Sequence, residues 1–184
     1  MTIPNYITIL RLLLVPIVVW AMLTGRELTA LFGFIAAGVS DGVDGFIARR
    51  WNMKSELGTY MDPIADKLLL VSVFVVLAYQ ELVPIWLVAM VVFRDALIVS
   101  AVMLSAVMEN PVEMRPLFVS KANTAAQILL VAVVLAQSGM NVDVMTPIIA
   151  LTALVALLTA ASTAAYLVTW LKHMADDGQE TGKD

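Results

Sequence analysis

Long apolar stretches, separated by short polar connections, dominate this sequence. A helix needs about 20 mostly apolar residues to cross the hydrocarbon core of a bilayer. Six stretches approach or exceed that length, at residues 6–23, 28–48, 58–79, 84–108, 119–137 and 144–171. The pattern predicts an all-α integral membrane protein with six transmembrane helices. No connection is long enough for a second domain, so we expect a single transmembrane domain over residues 1–174. Residues 175–184 are polar and predict a disordered tail.

Composition supports a membrane location and excludes several kinds of site. Hydrophobic residues make up 61% of the chain and charged residues only 14%. Soluble domains use roughly 45–50% apolar and about 25% charged residues, so a soluble fold could not cover this apolar surface. The chain has no cysteine and one histidine, His173, which disfavours a zinc site. No basic patch indicates nucleic-acid binding.

The distribution of basic residues predicts the orientation. If the N-terminus is cytoplasmic, the cytoplasmic side receives nearly all Lys and Arg residues of the loops and helix ends, whereas the opposite side receives little beyond Arg26. The positive-inside rule therefore places both termini in the cytoplasm. The first apolar stretch lacks a basic segment before it and a cleavage site after it, so we interpret it as a membrane helix. Without a visible transit peptide, a bacterial inner membrane is the simplest location.

Four aspartates stand at the cytoplasmic ends of the second and third predicted helices. Asp41 and Asp44 are three residues apart, and Asp62 and Asp66 are four apart, so each pair shares a helix face. The loop between the two helices is short, which predicts that they are antiparallel neighbours and that the two pairs converge.

A carboxylate within the membrane is unfavourable, with an insertion free energy on the order of 2.5–3.5 kcal/mol even on the scale that gives the smallest values. A cation must offset that cost. Hard oxygen ligands suit Mg²⁺ or Mn²⁺, and Mg²⁺ is usually held jointly with substrate phosphates. The four aspartates therefore predict two divalent ions and a phosphate-bearing substrate. The alternative is that these aspartates only cap helix ends or face water. That alternative would account well for a single aspartate, but poorly for four at these spacings. A cation transporter is a third alternative, but its carboxylates would tend to lie near the bilayer midplane.

The spacing around these aspartates resembles the signature of the CDP-alcohol phosphotransferases. The matching positions are Asp41, Asp44, Gly45, Ala48, Arg49, Gly58, Asp62 and Asp66, and all eight are filled. This resemblance implies an enzyme that cleaves the pyrophosphate of a CDP-linked lipid or alcohol. An acceptor hydroxyl would attack the phosphorus distal to cytidine, and CMP would leave.

The same resemblance implies roles for individual residues. Asp41, Asp44, Asp62 and Asp66 would be metal ligands, and Asp66 would also be the general base on the acceptor hydroxyl. A second set would bind CDP: Asp41, Gly45, Arg49 and Gly58. Glycine allows close approach of a nucleotide to the backbone, and arginine can pair with phosphate through two hydrogen bonds. For Arg49, simple anchoring at the membrane interface is the alternative.

Three further segments, residues 93–98, 115–127 and 158–166, are similar to the mitochondrial-type branch of cardiolipin synthases. This likeness implies that phosphatidyl transfer goes from CDP-diacylglycerol to phosphatidylglycerol, giving cardiolipin and CMP. Both substrates are lipids. The alternative is a phosphatidylglycerophosphate synthase, whose acceptor is glycerol-3-phosphate. The family resemblance also suggests a homodimer.

Five residues outside the aspartate signature are candidates for contact with the acceptor or lipid phosphate: Arg11, Arg94, Arg115, Lys121 and Asn123. Arg94 and Asp95 lie together inside the fourth predicted helix, and an ionisable residue inside a membrane favours a functional role. A structural salt bridge between the two is the alternative. For Arg11 and Lys121 the alternative is placement of the charge at the membrane interface.

Overall fold

Six α-helices make up most of the part of the chain that the structure describes. The structure is a computed structural model, and it describes the backbone of residues 3–51, 56–107, 118–140 and 142–180 and the side chains of residues 10–40, 67–100, 118–140 and 142–168. The helices are α1 (Ile3–Leu23), α2 (Glu27–Trp51), α3 (Glu56–Tyr79), α4 (Ile85–Val107), α5 (Phe118–Met140) and α6 (Met145–Glu180).

The all-helical prediction is confirmed over the described residues, and each predicted apolar segment corresponds to one helix. The main difference is at the C-terminus, where α6 continues to Glu180 and so enters the segment predicted as a disordered tail. The division into a domain and a tail stays a prediction.

Two tight turns close one end of the bundle. Gly25 follows α1 with a φ of +70°, and the amides of Gly25 and Arg26 donate to the carbonyls of Met22 and Ala21. These two bonds form a Schellman motif, in which a left-handed residue satisfies the last carbonyls of a helix. Glu81 takes the equivalent position after α3, with a φ of 59°.

The Gln80 side chain connects these two turns. Its amide nitrogen donates to the Met22 carbonyl at 2.9 Å, so the C-terminal ends of α1 and α3 lie together. The opposite end of the bundle therefore holds the beginning of α3 and the end of α2, where the four aspartates occur in the sequence.

Helix α1 packs against both α2 and α3, which are the helices that carry the aspartates. Helix α5 packs against α2 and α6, and α4 packs against α3 and α6. The shared core is apolar and includes Met22, Phe74, Leu77, Leu87 and Leu130, all buried. Packing around this core fixes the relative positions of α1, α2 and α3.

Many large apolar side chains remain exposed on the outside of the described bundle, among them Phe32, Phe93, Ile149 and Leu157. Within the described residues, two helical stretches are long and apolar enough to cross a membrane, Phe118–Met140 and Met145–Val168. Three shorter apolar helical stretches accompany them: Leu10–Leu23, Glu27–Ser40 and Lys67–Tyr79. An apolar exterior of this kind is typical of helices that face lipid.

Two glycines of α2 differ in their surroundings and give a test of the packing. A Cβ at Gly33 would lie 2.9 Å from a methyl of Val18, whereas a Cβ at Gly38 would meet nothing within 4 Å. Both substitutions to alanine gain the same helix propensity. We therefore expect Gly33→Ala to be less stable than Gly38→Ala by about 1–3 kcal/mol, the usual cost of overpacking. Thermal unfolding in detergent measures this difference. Equal stabilities would show that α1 and α2 do not pack as described.

Candidate functional site

The signature residues fall on the two expected helices. Asp41, Asp44, Gly45 and Arg49 lie within α2, and Gly58, Asp62 and Asp66 lie within α3. Their side chains are outside the described residues, and Arg115 lies outside the described chain altogether. The predicted convergence of the two aspartate pairs, and the metal, CDP and base roles, therefore stay predictions.

Arg94 of α4 lies at the centre of a buried polar cluster. Its side chain is 2% exposed. The guanidinium donates to Asp95 Oδ1 at 2.6 Å, to Ser162 Oγ of α6 at 3.0 Å and to Ser120 Oγ of α5 at 2.5 Å. Arg94 thus has partners on α4, α5 and α6 at once.

Asp95 extends this cluster to α3. Its second carboxylate oxygen, Oδ2, lies 2.7 Å from Nζ of Lys67. One carboxylate therefore serves two cations, Lys67 and Arg94. Lys67 directly follows Asp66, the predicted base, in the sequence. These contacts therefore connect the backbone beside Asp66 on α3 to helices α4, α5 and α6. We define Lys67, Arg94, Asp95, Ser120 and Ser162 as the ion cluster.

A second polar layer lies beside the ion cluster between α5 and α6. Asn123 is fully buried, and its side-chain oxygen accepts a hydrogen bond from Thr159 at 3.1 Å. One turn further along α5, Gln127 is also fully buried, and neither atom of its amide has a hydrogen-bond partner among the described residues. Buried amides normally have partners, so Gln127 marks a place where water or a ligand group could bind.

The remaining two candidates have opposite surroundings. Arg11 of α1 is 1% exposed, so its guanidinium is inside the bundle rather than at the surface. Lys121 of α5 is exposed, two residues before the buried Asn123. Arg11 therefore lies on the helix that packs against both aspartate helices, whereas Lys121 faces outward.

The salt bridge between Arg94 and Asp95, which was the alternative to a functional role for Arg94, is present in the structure. A phosphate role for Arg94, Lys121, Asn123 or Arg11 stays a prediction. Sequence reasoning missed Lys67, Ser120 and Ser162, which complete the ion cluster. Their signal was weak, because lone Ser residues are common in apolar helices and a lysine at a helix interface usually places its charge at the surface.

Among the described residues, no group of three or more acidic, His or Cys side chains is placed to hold a metal ion. The donors that suit Mg²⁺ or Mn²⁺ are the four aspartates of the signature, because carboxylate oxygens are hard ligands. The sequence thus supplies a donor set that fits a two-metal site on α2 and α3, adjacent along the chain to the ion cluster.

An all-helical apolar bundle with the complete aspartate signature on two consecutive helices is typical of one class of transferase. The chain matches the CDP-alcohol phosphatidyltransferase family over residues 1–171. It belongs to this family, whose members are CDP-alcohol phosphotransferases.

Individual relatives of this chain carry two kinds of name. The cardiolipin synthase (CMP-forming) of Rattus norvegicus is 36% identical over 156 residues, covering 76% of this chain and 52% of that protein, and the Homo sapiens enzyme gives the same figures. The CDP-diacylglycerol–glycerol-3-phosphate 3-phosphatidyltransferase of Blochmanniella floridana is 34% identical over 135 residues, covering 69% of this chain and 70% of that protein. The chain spans about half the length of these two cardiolipin synthases.

The shared carboxylate of the ion cluster gives a stability prediction. Asp95→Asn would leave Lys67 and Arg94 without their common counter-charge, and breaking a buried ion pair from one side costs about 3 kcal/mol or more. Asp143→Asn is the matched control. Asp143 is exposed and caps α6 by accepting from the Met145 amide at 3.2 Å, and asparagine caps equally well. Chemical unfolding in detergent should separate the two variants, and equal stabilities would contradict the shared role of Asp95.

Proposed function

We propose that this protein is a membrane phosphatidyltransferase that moves the phosphatidyl group of CDP-diacylglycerol to phosphatidylglycerol, giving cardiolipin and CMP. The observation that carries the proposal is the complete aspartate signature in a chain that belongs to the CDP-alcohol phosphatidyltransferase family. The choice of acceptor is supported by the relatives named as CMP-forming cardiolipin synthases.

The proposed chemistry is a single in-line displacement at phosphorus. Asp66 accepts the proton of the phosphatidylglycerol hydroxyl. The hydroxyl oxygen attacks the phosphatidyl phosphorus, and the bond between that phosphorus and the oxygen of CMP breaks. Asp41, Asp44, Asp62 and Asp66 would hold two divalent cations, Mg²⁺ or Mn²⁺, and bound ions would supply Lewis-acid stabilisation of the phosphate charge. A further set of residues binds and orients the CDP portion: Asp41, Gly45, Arg49 and Gly58.

In this proposal all six helices cross the membrane, both termini are cytoplasmic, and residues 1–174 form the single transmembrane domain. The apolar exterior of the described bundle and its two long apolar helices support this placement. We further propose a bacterial inner membrane and a homodimer. The active site then lies at the cytoplasmic ends of α2 and α3, open both to the cytoplasm and sideways to lipid.

The acceptor side of the site is proposed to be basic and to lie near the ion cluster. Arg94 and Lys121, with Arg11, Arg115 and Asn123, would attract or orient the acceptor phosphate. Arg94 already has Asp95 as an ionic partner and two serine hydroxyls as acceptors. We therefore propose that Arg94 acts on phosphate through Ser120 rather than alone.

The second candidate function is phosphatidylglycerophosphate synthesis, with glycerol-3-phosphate as the acceptor. It is favoured by the Blochmanniella floridana relative, of which this chain covers 70%. The two candidates share the donor, the metals and the bond that breaks. They differ only in whether the acceptor is a lipid.

Purified protein supplied with CDP-diacylglycerol and one acceptor at a time separates the two. We expect metal-dependent CMP release and cardiolipin formation with phosphatidylglycerol, abolished by a chelator, and no product with glycerol-3-phosphate. Product from glycerol-3-phosphate alone would establish the second candidate function. If neither acceptor supports CMP release, the proposed transferase activity is wrong.

The proposed base gives a separate prediction. Asp66→Asn should lower kcat by roughly 10²–10⁴-fold, the usual contribution of a general base, while CDP-diacylglycerol still binds. Asp143→Asn, on the exposed turn before α6, should leave kcat unchanged. The two variants are compared in kcat, measured at saturating substrates, and in the affinity for CDP, measured by calorimetry. An Asp66→Asn enzyme with normal kcat would exclude Asp66 as the base.

A further inference from the structure

Gln127 of α5 is a fully buried polar side chain to which the proposed function gives no role. Within the part of the chain that the structure describes, neither its amide nitrogen Nε2 nor its amide oxygen Oε1 has a hydrogen-bond partner. An unpaired amide in a protein interior is unfavourable, and lipid around the bundle supplies no partner from outside. The amide therefore needs a partner that the described residues do not provide.

The contact between α5 and α2 shows which part of α2 lies beside Gln127. A Cβ at Gly139 would lie 3.0 Å from the backbone nitrogen of Leu28. This contact joins the end of α5 to the beginning of α2, and the two helices pack against each other, so they run antiparallel. Gln127 precedes Gly139 by twelve residues, and Ser40 follows Leu28 by twelve. At a rise of about 1.5 Å per residue, each lies about 18 Å from the contact, so Gln127 and Ser40 are at the same level along the bundle.

Helix α1 brings a buried cation to this level. A Cβ at Gly33 of α2 would lie 2.9 Å from a methyl of Val18 of α1, which runs antiparallel to α2. Arg11 precedes Val18 by seven residues, and Ser40 follows Gly33 by seven. Arg11, which is 1% exposed, therefore belongs to the level of Ser40. A buried cation at this level suits a nearby carboxylate.

Helix α6, which also packs against α5, offers Gln127 no polar partner. Asn123 of α5 pairs with Thr159 of α6. Since α5 and α6 are joined by a short connection and run antiparallel, the residue of α6 opposite Gln127 is four positions before Thr159, at Val155. Val155 is apolar and fully buried. The partner of Gln127 must therefore come from another side of the bundle.

On α2, the polar residue available at this level is Asp41. The Ser40 hydroxyl is already used, because it donates to the Ala36 carbonyl at 2.7 Å within its own helix. Asp41 follows directly and is the first aspartate of the signature. Carboxylates that hold a metal ion are usually hydrogen-bonded by further groups, which fix their orientation. An amide N–H suits this role, because it donates to a carboxylate without adding charge.

We propose that Gln127 donates a hydrogen bond from Nε2 to the Asp41 carboxylate and thereby orients this carboxylate for a divalent ion. Oε1 accepts from a buried water molecule, a common partner of polar groups in protein interiors. The inference rests on the proposed function, in which Asp41 is a metal ligand, and adds a residue of α5 to a site on α2 and α3. Gln127 is a positioning residue, because it acts through Asp41 and contacts neither ion nor substrate.

Gln127→Met tests this role, because methionine keeps the length of glutamine and removes both polar atoms. Gln137→Met is the matched control on the same helix. Gln137 is half-buried and accepts from the Val144 amide at 3.2 Å, near the end of α5 that contacts the beginning of α2. Electron paramagnetic resonance measures Mn²⁺ binding to the full-length protein with CDP-diacylglycerol and no acceptor. We expect Gln127→Met to weaken Mn²⁺ binding by about 10–100-fold and Gln137→Met to leave it unchanged.

The unfolding temperature in a chelator separates this role from a purely structural one. Gln127→Met should be at least as stable as the wild type, since it removes an unpaired buried amide, whereas Gln137→Met should be less stable because it loses a hydrogen bond. Added Mn²⁺ should raise the unfolding temperature of Gln127→Met less than that of the wild type. A Gln127→Met protein that is destabilised in chelator and binds Mn²⁺ normally would overturn the inference.

Turnover distinguishes failure of this inference from failure of the proposed function. Gln127→Met should raise the Mn²⁺ concentration for half-maximal CMP release by a similar factor and recover most of kcat at saturating Mn²⁺. Wild-type Mn²⁺ affinity in Gln127→Met, or an equal loss in Gln137→Met, would overturn the inference and leave the proposed function intact. If the wild type binds no Mn²⁺, the proposed metal site is wrong and the inference is wrong with it.

Discussion

The described structure depends on compensation of charge among apolar helices. A charged side chain that is removed from water must find an opposite charge and hydrogen-bond partners, or its burial is strongly unfavourable. Arg94 meets this requirement with Asp95 and with hydroxyls from two other helices, and Asp95 also pairs with Lys67. Because these contacts join α3, α4, α5 and α6, the requirement for charge compensation also fixes how four helices stand relative to one another.

The same requirement connects the ion cluster to the proposed chemistry. Four aspartates on α2 and α3 need cations, and the proposed divalent ions would meet that need. The ion cluster has the opposite imbalance among its described residues, with two cations for one carboxylate. A proposed acidic metal site and a proposed basic acceptor side, close along the chain at Asp66 and Lys67, would suit the transfer of a phosphatidyl group from CDP-diacylglycerol to an acceptor with release of CMP.

Much of the fold could be predicted from the sequence, because long apolar stretches bounded by polar turns specify helices almost independently of context. The eight-position signature likewise identified the family. The ion cluster could not be predicted, since Ser120 and Ser162 become partners of Arg94 only when α4, α5 and α6 pack together. Periodicity shows which residues share a helix face, but not which hydroxyl of another helix will lie opposite a guanidinium.

The central claim is that the four aspartates bind two divalent ions beside a phosphate-bearing substrate. Electron paramagnetic resonance of Mn²⁺ added to the purified protein with CDP-diacylglycerol tests it most directly. The account predicts two Mn²⁺ per chain with spin coupling that corresponds to a separation of roughly 3.5–4 Å, and loss of the coupled signal in Asp41→Asn and Asp62→Asn. A single uncoupled Mn²⁺, or two ions that both variants retain, would contradict it.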